Sequence, residues 1–146
     1  MTLTFSTDFN IGGISAIQLA PCYGFDPINP VPTLLPGYTW DDVDALPESA
    51  QLTEDQTQTE HGIAYSYGLN FAFNKKNPAL ATLIRKYHGT VAVALVTDNN
   101  GVQCYIGSPW GGLMLHQTTD TGKKYTDQNY VALAFTVAQP FEALMF

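Results

Sequence analysis

Asp120-Thr121-Gly122 is the tripeptide of this chain that comes nearest to catalytic chemistry. An Asp-Thr-Gly turn can present a carboxylate that shares one proton with a second carboxylate across a dimer axis, as an acid hydrolase requires. Such a turn needs apolar strand residues before it and must exclude water. Thr118 and Thr119 precede it here, and Lys123 and Lys124 follow. A hairpin turn, for which Asp and Gly are favoured residues, accounts for the tripeptide better. His61, His88 and His116 are the remaining acid–base candidates, and none has a second His or Cys at metal-ligand spacing. Only a meeting of His61 and His116 in space would change that. No Gly-x-Ser-x-Gly elbow activates a serine. Cys104 alternates with Val102 and Ile106 as a core residue would, and Cys22 stands far from it, with neither the spacing of a metal site nor the density of a disulfide scaffold. No catalytic residue, cofactor or metal ligand is expected.

Two polar corners resemble ligand loops and fit turns better. Gly107-Ser108-Pro109-Trp110-Gly111-Gly112 lacks the Gly-Lys-Ser/Thr ending of a phosphate cradle and leads into a strand. Asp98-Asn99-Asn100-Gly101 offers oxygen ligands without the later Glu that completes a calcium loop. Tyr23, Tyr38, Trp40 and Trp110 fall in loops, where an aromatic ring stacks on a sugar, anchors a protein partner or lids its own core.

These groups must be placed by strands. Thr2 to Ser6 alternates polar and apolar residues, and after Gly12-Gly13 the stretch Ile14 to Ala20 is apolar until Pro21, which reads as two strands joined by a turn. From Phe25 to Ala50 the periodicity vanishes. Pro27, Pro30, Pro32, Pro36 and Pro47 interrupt every candidate element, so a long loop is expected, of a length that tends to be functional. Its apolar members Val31, Leu34, Leu35, Tyr38 and Trp40, with the C-terminal Leu144, Met145 and Phe146, are the candidate assembly contacts.

Beyond a Thr-rich polar segment, Gln51 to Glu60, the residues Ile63, Tyr65, Tyr67, Leu69, Phe71 and Phe73 alternate on one face of a strand. Asn77-Pro78 starts a helix over residues 78 to 88, with Leu80, Leu83, Ile84 and Tyr87 at helical spacing, basic residues in the last turn and Gly89 after it. Strands over Thr90–Thr97, Val102–Ile106, Leu113–Thr118 and Tyr125–Ala138 complete an antiparallel meander. About seven strands and one flanking helix predict a single mainly β domain over residues 1–146, an antiparallel β-sandwich or partly open barrel.

A chain of 146 residues builds one core without staples. Its N-terminus lacks the basic start of a signal peptide, and no apolar run reaches bilayer length. Net charge is −7, and no Lys or Arg precedes Lys75. That balance disfavours specific nucleic-acid binding, which needs clustered cations. Asp41, Asp42, Asp44, Glu48, Glu54 and Asp55 fit instead a solvated face or the wall of a channel that repels phosphates.

The order of elements resembles the tail-tube and baseplate-type structural subunits of bacteriophages, particularly of phages with Bacteroidetes hosts. The motifs are Gly13-Ile14-Ser15-Ala16-Ile17-Gln18-Leu19-Ala20-Pro21 and the stretch Gly62 to Pro140, including Thr97-Asp98-Asn99-Asn100-Gly101, Ile106-Gly107-Ser108-Pro109 and Asp120-Thr121-Gly122-Lys123-Lys124-Tyr125. These motifs are hairpins and corners. The resemblance implies a virion protein whose strands join those of neighbours in a ring, commonly hexameric, without catalysis. Its implied partners are copies of itself and other tail proteins, with DNA only as passing cargo and no membrane. A connector or completion protein satisfies the same pattern. A carbohydrate-binding module and a small acid hydrolase are the alternatives from other classes.

Overall fold

A computed structural model describes residues 1, 11–28, 32–45, 48–75, 77–125 and 129–145. Alternation of large apolar residues with small or polar ones builds most of its strands. In chain order these are β1 (Ile14–Pro21), β2 (Asp41–Val43), β3 (Gln51–Thr59) and β4 (Gly62–Phe73), then β5 (Ala92–Asp98), β6 (Gln103–Ile106), β7 (Met114–Asp120), β8 (Tyr130–Gln139) and β9 (Leu144–Met145). The helix α1 (Pro78–Tyr87) lies between β4 and β5. Two antiparallel sheets result, one ordered β2-β1-β5-β6-β9 and the other β3-β4-β8-β7, and neither closes into a barrel.

The sheets pack face to face. Ile17, Leu19, Ala94, Val96 and Ile106 from the first meet Tyr67, Leu69, Phe71, Val131, Leu133 and Phe135 from the second. Helix α1 adds Leu80, Ile84 and Tyr87 to the same core, with the Tyr87 ring edge-on to Phe135 at 6.2 Å. Its start is capped as its sequence predicts, Asn77 Oδ1 accepting from the Leu80 N–H at 2.8 Å. The β5–β6 hairpin turns on Gly101, whose φ of +86° suits glycine. Asp98 Oδ1 there accepts from the amides of Asn100 and Val102, both at 2.9 Å. At the corner that crosses from one sheet to the other, a β-carbon on Gly112 would collide with the Ala92 carbonyl. Glycine thus permits the Leu113–Ala92 backbone pair that joins the corner to β5.

Several expectations are corrected. The described residues form nine strands, not about seven. Residues 25–50 are not one structureless loop: Phe25 bridges to Leu34, and Asp41–Val43 pairs with β1. Backbone hydrogen bonding to an existing edge needs no side-chain periodicity, so the pattern gave no sign of it. The Thr-rich segment is a strand, β3, because β4 offers nine consecutive partners. The last long strand begins at Tyr130, not Tyr125. The strand expected at Thr2–Ser6 lies outside the described residues.

Candidate functional site

Period-2 alternation gives the four-stranded sheet an outer face mostly of small and polar side chains, with Met114 and Tyr130 its large members. Thr53, Asp55 and Thr57 come from β3, Ser66, Gly68 and Asn70 from β4, Ala132, Ala134 and Thr136 from β8, and His116, Thr118 and Asp120 from β7. The whole sheet contains no Lys or Arg, and Glu54, Asp55 and Asp120 are its carboxylates. Both of its edges are long. β3 runs nine residues and β7 seven, each in unbroken register with its inner neighbour. Neither carries a strand on its outer side among the described residues. Edge strands are ordinarily blunted by Lys, Pro, bulges, shortness or inward-pointing charges; β3 has only the last of these, in Glu54, and β7 has none of them.

The five-stranded sheet is finished differently. Its edge strands are stubs, three residues in β2 and two in β9. Part of its outer face is covered by the chain itself: Ala20 and Val93 are capped by Phe25, with Cys22, Leu34 and Trp40 packed around them. The Trp40 ring lies 5.4 Å from Phe25 and 6.2 Å from Tyr105. Leu34 and Trp40 therefore face inward, on a second small core. Leu35 and Tyr38 stay partly exposed, Tyr38 edge-on to Tyr23 at 5.8 Å. Leu144 and Met145 remain exposed although their backbone pairs with β6. Val31 and Phe146 lie outside the described residues.

The six acidic candidates do not share one surface. Asp41 Oδ2 accepts from Lys86 Nζ at 2.6 Å and from the buried Tyr87 hydroxyl at 2.7 Å, latching β2 to the helix. Asp42 accepts from Gln18. Asp44 and Glu48 line a cleft beside Gly12–Ile17. Glu54 points inward and accepts from the Tyr67 hydroxyl at 2.8 Å, while that hydroxyl accepts from the Ala143 N–H at 2.8 Å. Only Asp55 stands on the outer face of the four-stranded sheet. Spacing along the chain could not reveal this, because β3 sends Glu54 and Asp55 to opposite faces.

Burial is the first cause of every titration shift. It pushes the Tyr67 phenol up to about 12, with Glu54 adding to the rise. Tyr87 is pushed further up by burial and by Asp41. The Cys104 thiol rises to about 11 through burial and the nearby carboxylates of Glu54 and Glu142, a direction opposite to that of a reactive thiolate. Asp120 is exposed and accepts from the Gly122 N–H at 2.8 Å, the geometry of a hairpin turn open to water. His61 sits at the β3–β4 turn and His116 in β7, level with Asn70 through Ala134, so the two do not meet. Among the described residues no three His, Cys, Asp or Glu side chains gather to hold a metal. No helix among them is long and apolar enough to cross a membrane.

Trp110 is the most exposed described tryptophan, at 79%. It sits at the tip of a turn closed by paired Ser108 and Gly111 backbones. Beside it runs a mostly apolar groove of about 360 Å³ between Ile28, Pro32, Phe141 and Leu144. In comparisons with known proteins, the chain matches no protein-family model, no curated protein and no solved structure.

Proposed function

We propose that this chain is a structural subunit of a phage tail, closing with copies of itself into a ring and catalysing no reaction. The observation that carries the reading is the pair of edges on the four-stranded sheet that carry no partner strand among the described residues. Four alternating strands make β3 and β7 run in opposite directions. A neighbour in the same orientation therefore brings its β7 antiparallel to β3, the arrangement a ladder needs. Such a head-to-tail contact repeats around a ring when its rotation closes.

The outer face of the same sheet would then line the channel. Small side chains with Asp55 and Asp120, and no cation, suit the passage of DNA because they repel its phosphates. Leu35, Tyr38, Leu144 and Met145 lie on the other sheet's side, available to further tail proteins. In this reading the protein is made in the host cytoplasm and resides in the virion.

Electron microscopy of concentrated protein, with sedimentation velocity, tests the proposal. Rings or tubes are the expected outcome. A protein that stays monomeric at high concentration and binds no tail component contradicts it. A second reading, a carbohydrate-binding module, draws on the exposed Trp110, since an aromatic plane suits a sugar ring. Glycan binding that is lost in Trp110→Ala, in a protein forming no rings, would favour it.

A further inference from the structure

We infer that neighbouring copies pair β3 with β7 at a single register, one that sets His116 of each copy opposite Asp55 of the next; the inference rests on the ring reading above. The sheet itself supplies the argument. Following the ladders across it, Met114 is level with Thr53 and His116 with Gln51. The two edges are thus staggered, β3 projecting past one end of the level row and β7 past the other. A neighbour placed with no slide would pair only the short overlap from Gln51 to Thr53.

A slide along the strands recovers the remainder, and its size is constrained. It must be an even number of residues, because an odd one would turn inward-facing side chains outward. A slide of two leaves Thr119 and Asp120 of β7 beyond the end of β3. The smallest slide that pairs all of β7 moves His116 from Gln51 to Asp55. At that register Met114 faces Thr57, Thr118 faces Thr53 and Asp120 faces Gln51 on the outer side, while Gln117 faces Glu54 on the inner side. No like charges stand opposite one another, and the imidazole meets a carboxylate.

Barrel geometry independently admits this slide. About four residues of ~3.3 Å rise against four strands of ~4.8 Å spacing correspond to a strand tilt of about 35°, at the lower end of the range closed barrels adopt. The next even slide, which sets His116 opposite Thr57, gives about 46° and leaves the imidazole without a carboxylate opposite it. Electrostatics favours the first.

Paired cysteines test the register in the full chain. Asp55→Cys/His116→Cys, oxidised under assembling conditions, should give a ladder of disulfide-linked multimers, with each single variant as control for the native Cys22 and Cys104. Thr57→Cys/His116→Cys and Gln51→Cys/His116→Cys should give none. A ladder from either of those pairs instead overturns the register and leaves the ring standing. Rings by microscopy with no ladder from any pair overturn the His116–Asp55 register. Monomers throughout, in the unmodified protein, remove the ring reading and this inference with it. As a second measurement, Asp55→Lys should weaken assembly about fivefold per contact, and His116→Asp added to it should restore assembly. Absence of that rescue, with the Asp55→Lys chain folded, counts against the pairing.

Discussion

The two sheets share one core and differ in everything facing away from it. On the five-stranded side, short stubs end the ladder, and a Pro-rich segment with Phe25, Leu34 and Trp40 covers part of the outer face. On the four-stranded side both edges are long and regular, and the outer face is mostly small and polar and free of Lys and Arg. A sheet finished by its own chain has little backbone left to offer. One with no further strand at either edge among the described residues presents backbone donors and acceptors along strands of nine and seven residues. On the ring reading proposed above, the four-stranded half is the one that meets its neighbours.

The largest expected effect strikes both halves at once. Phe135 stacks on Phe71 at 5.9 Å and meets Tyr87, so Phe135→Ala should cost about 3–5 kcal/mol, read from denaturant unfolding. If the second core is a true cover, Trp40→Ala should lose about 2–3 kcal/mol. Trp110→Ala, at an exposed turn, should stay within about 0.5 kcal/mol. Equal losses from the two would erase the distinction between covering and projecting aromatics.

Asp41→Ala removes the acceptor of the buried Tyr87 hydroxyl and should cost about 1–3 kcal/mol in thermal unfolding. A negligible change would return Asp41 to the pool of free surface charge. Alkaline titration probes the other tyrosine. The Tyr67 phenol is held up near 12 in the fold against an ordinary value of 10. Its contribution is therefore fully present below pH 10 and is lost as pH rises through about 12. Tyrosinate absorbance should show Tyr67 ionising late, ahead of the still later Tyr87, and Tyr67→Phe should reduce the late component by one tyrosine.

The smallest effect on folding should accompany a large one on association. Thr57→Lys on the β3 edge should change monomer stability by less than about 0.5 kcal/mol yet suppress ring formation. Met145→Lys, on the closed sheet, should alter neither. Suppression by Met145→Lys alone would transfer the interface to the five-stranded side.

Helix α1 was legible in residue order because its signals are local: a capping Asn, a Pro at the first helical position and apolar residues every three or four places. The hairpin at Asp98–Gly101 and the buried face of β4 were legible for the same reason, periodicity and turn chemistry acting over a few residues. β3 was not. Its strand state comes from pairing with β4 and leaves almost no trace in its own polar side chains. Among candidate interface residues, the loop and C-terminal apolar groups were visible by type, but the inward turn of Leu34 and Trp40 required the sheet beneath them.

By itself, then, the sequence determined a mainly β domain with one capped helix, a first half without cations, and the absence of a recognisable catalytic motif. These follow from composition and short-range order. Tertiary structure alone decided that Asp41 latches to Tyr87, that Glu54 and Asp55 part to opposite faces, and that one sheet ends in stubs while the other ends in long strands. Strand order and register arise from contacts between residues far apart in the chain, and no local pattern encodes which strand is left at an edge.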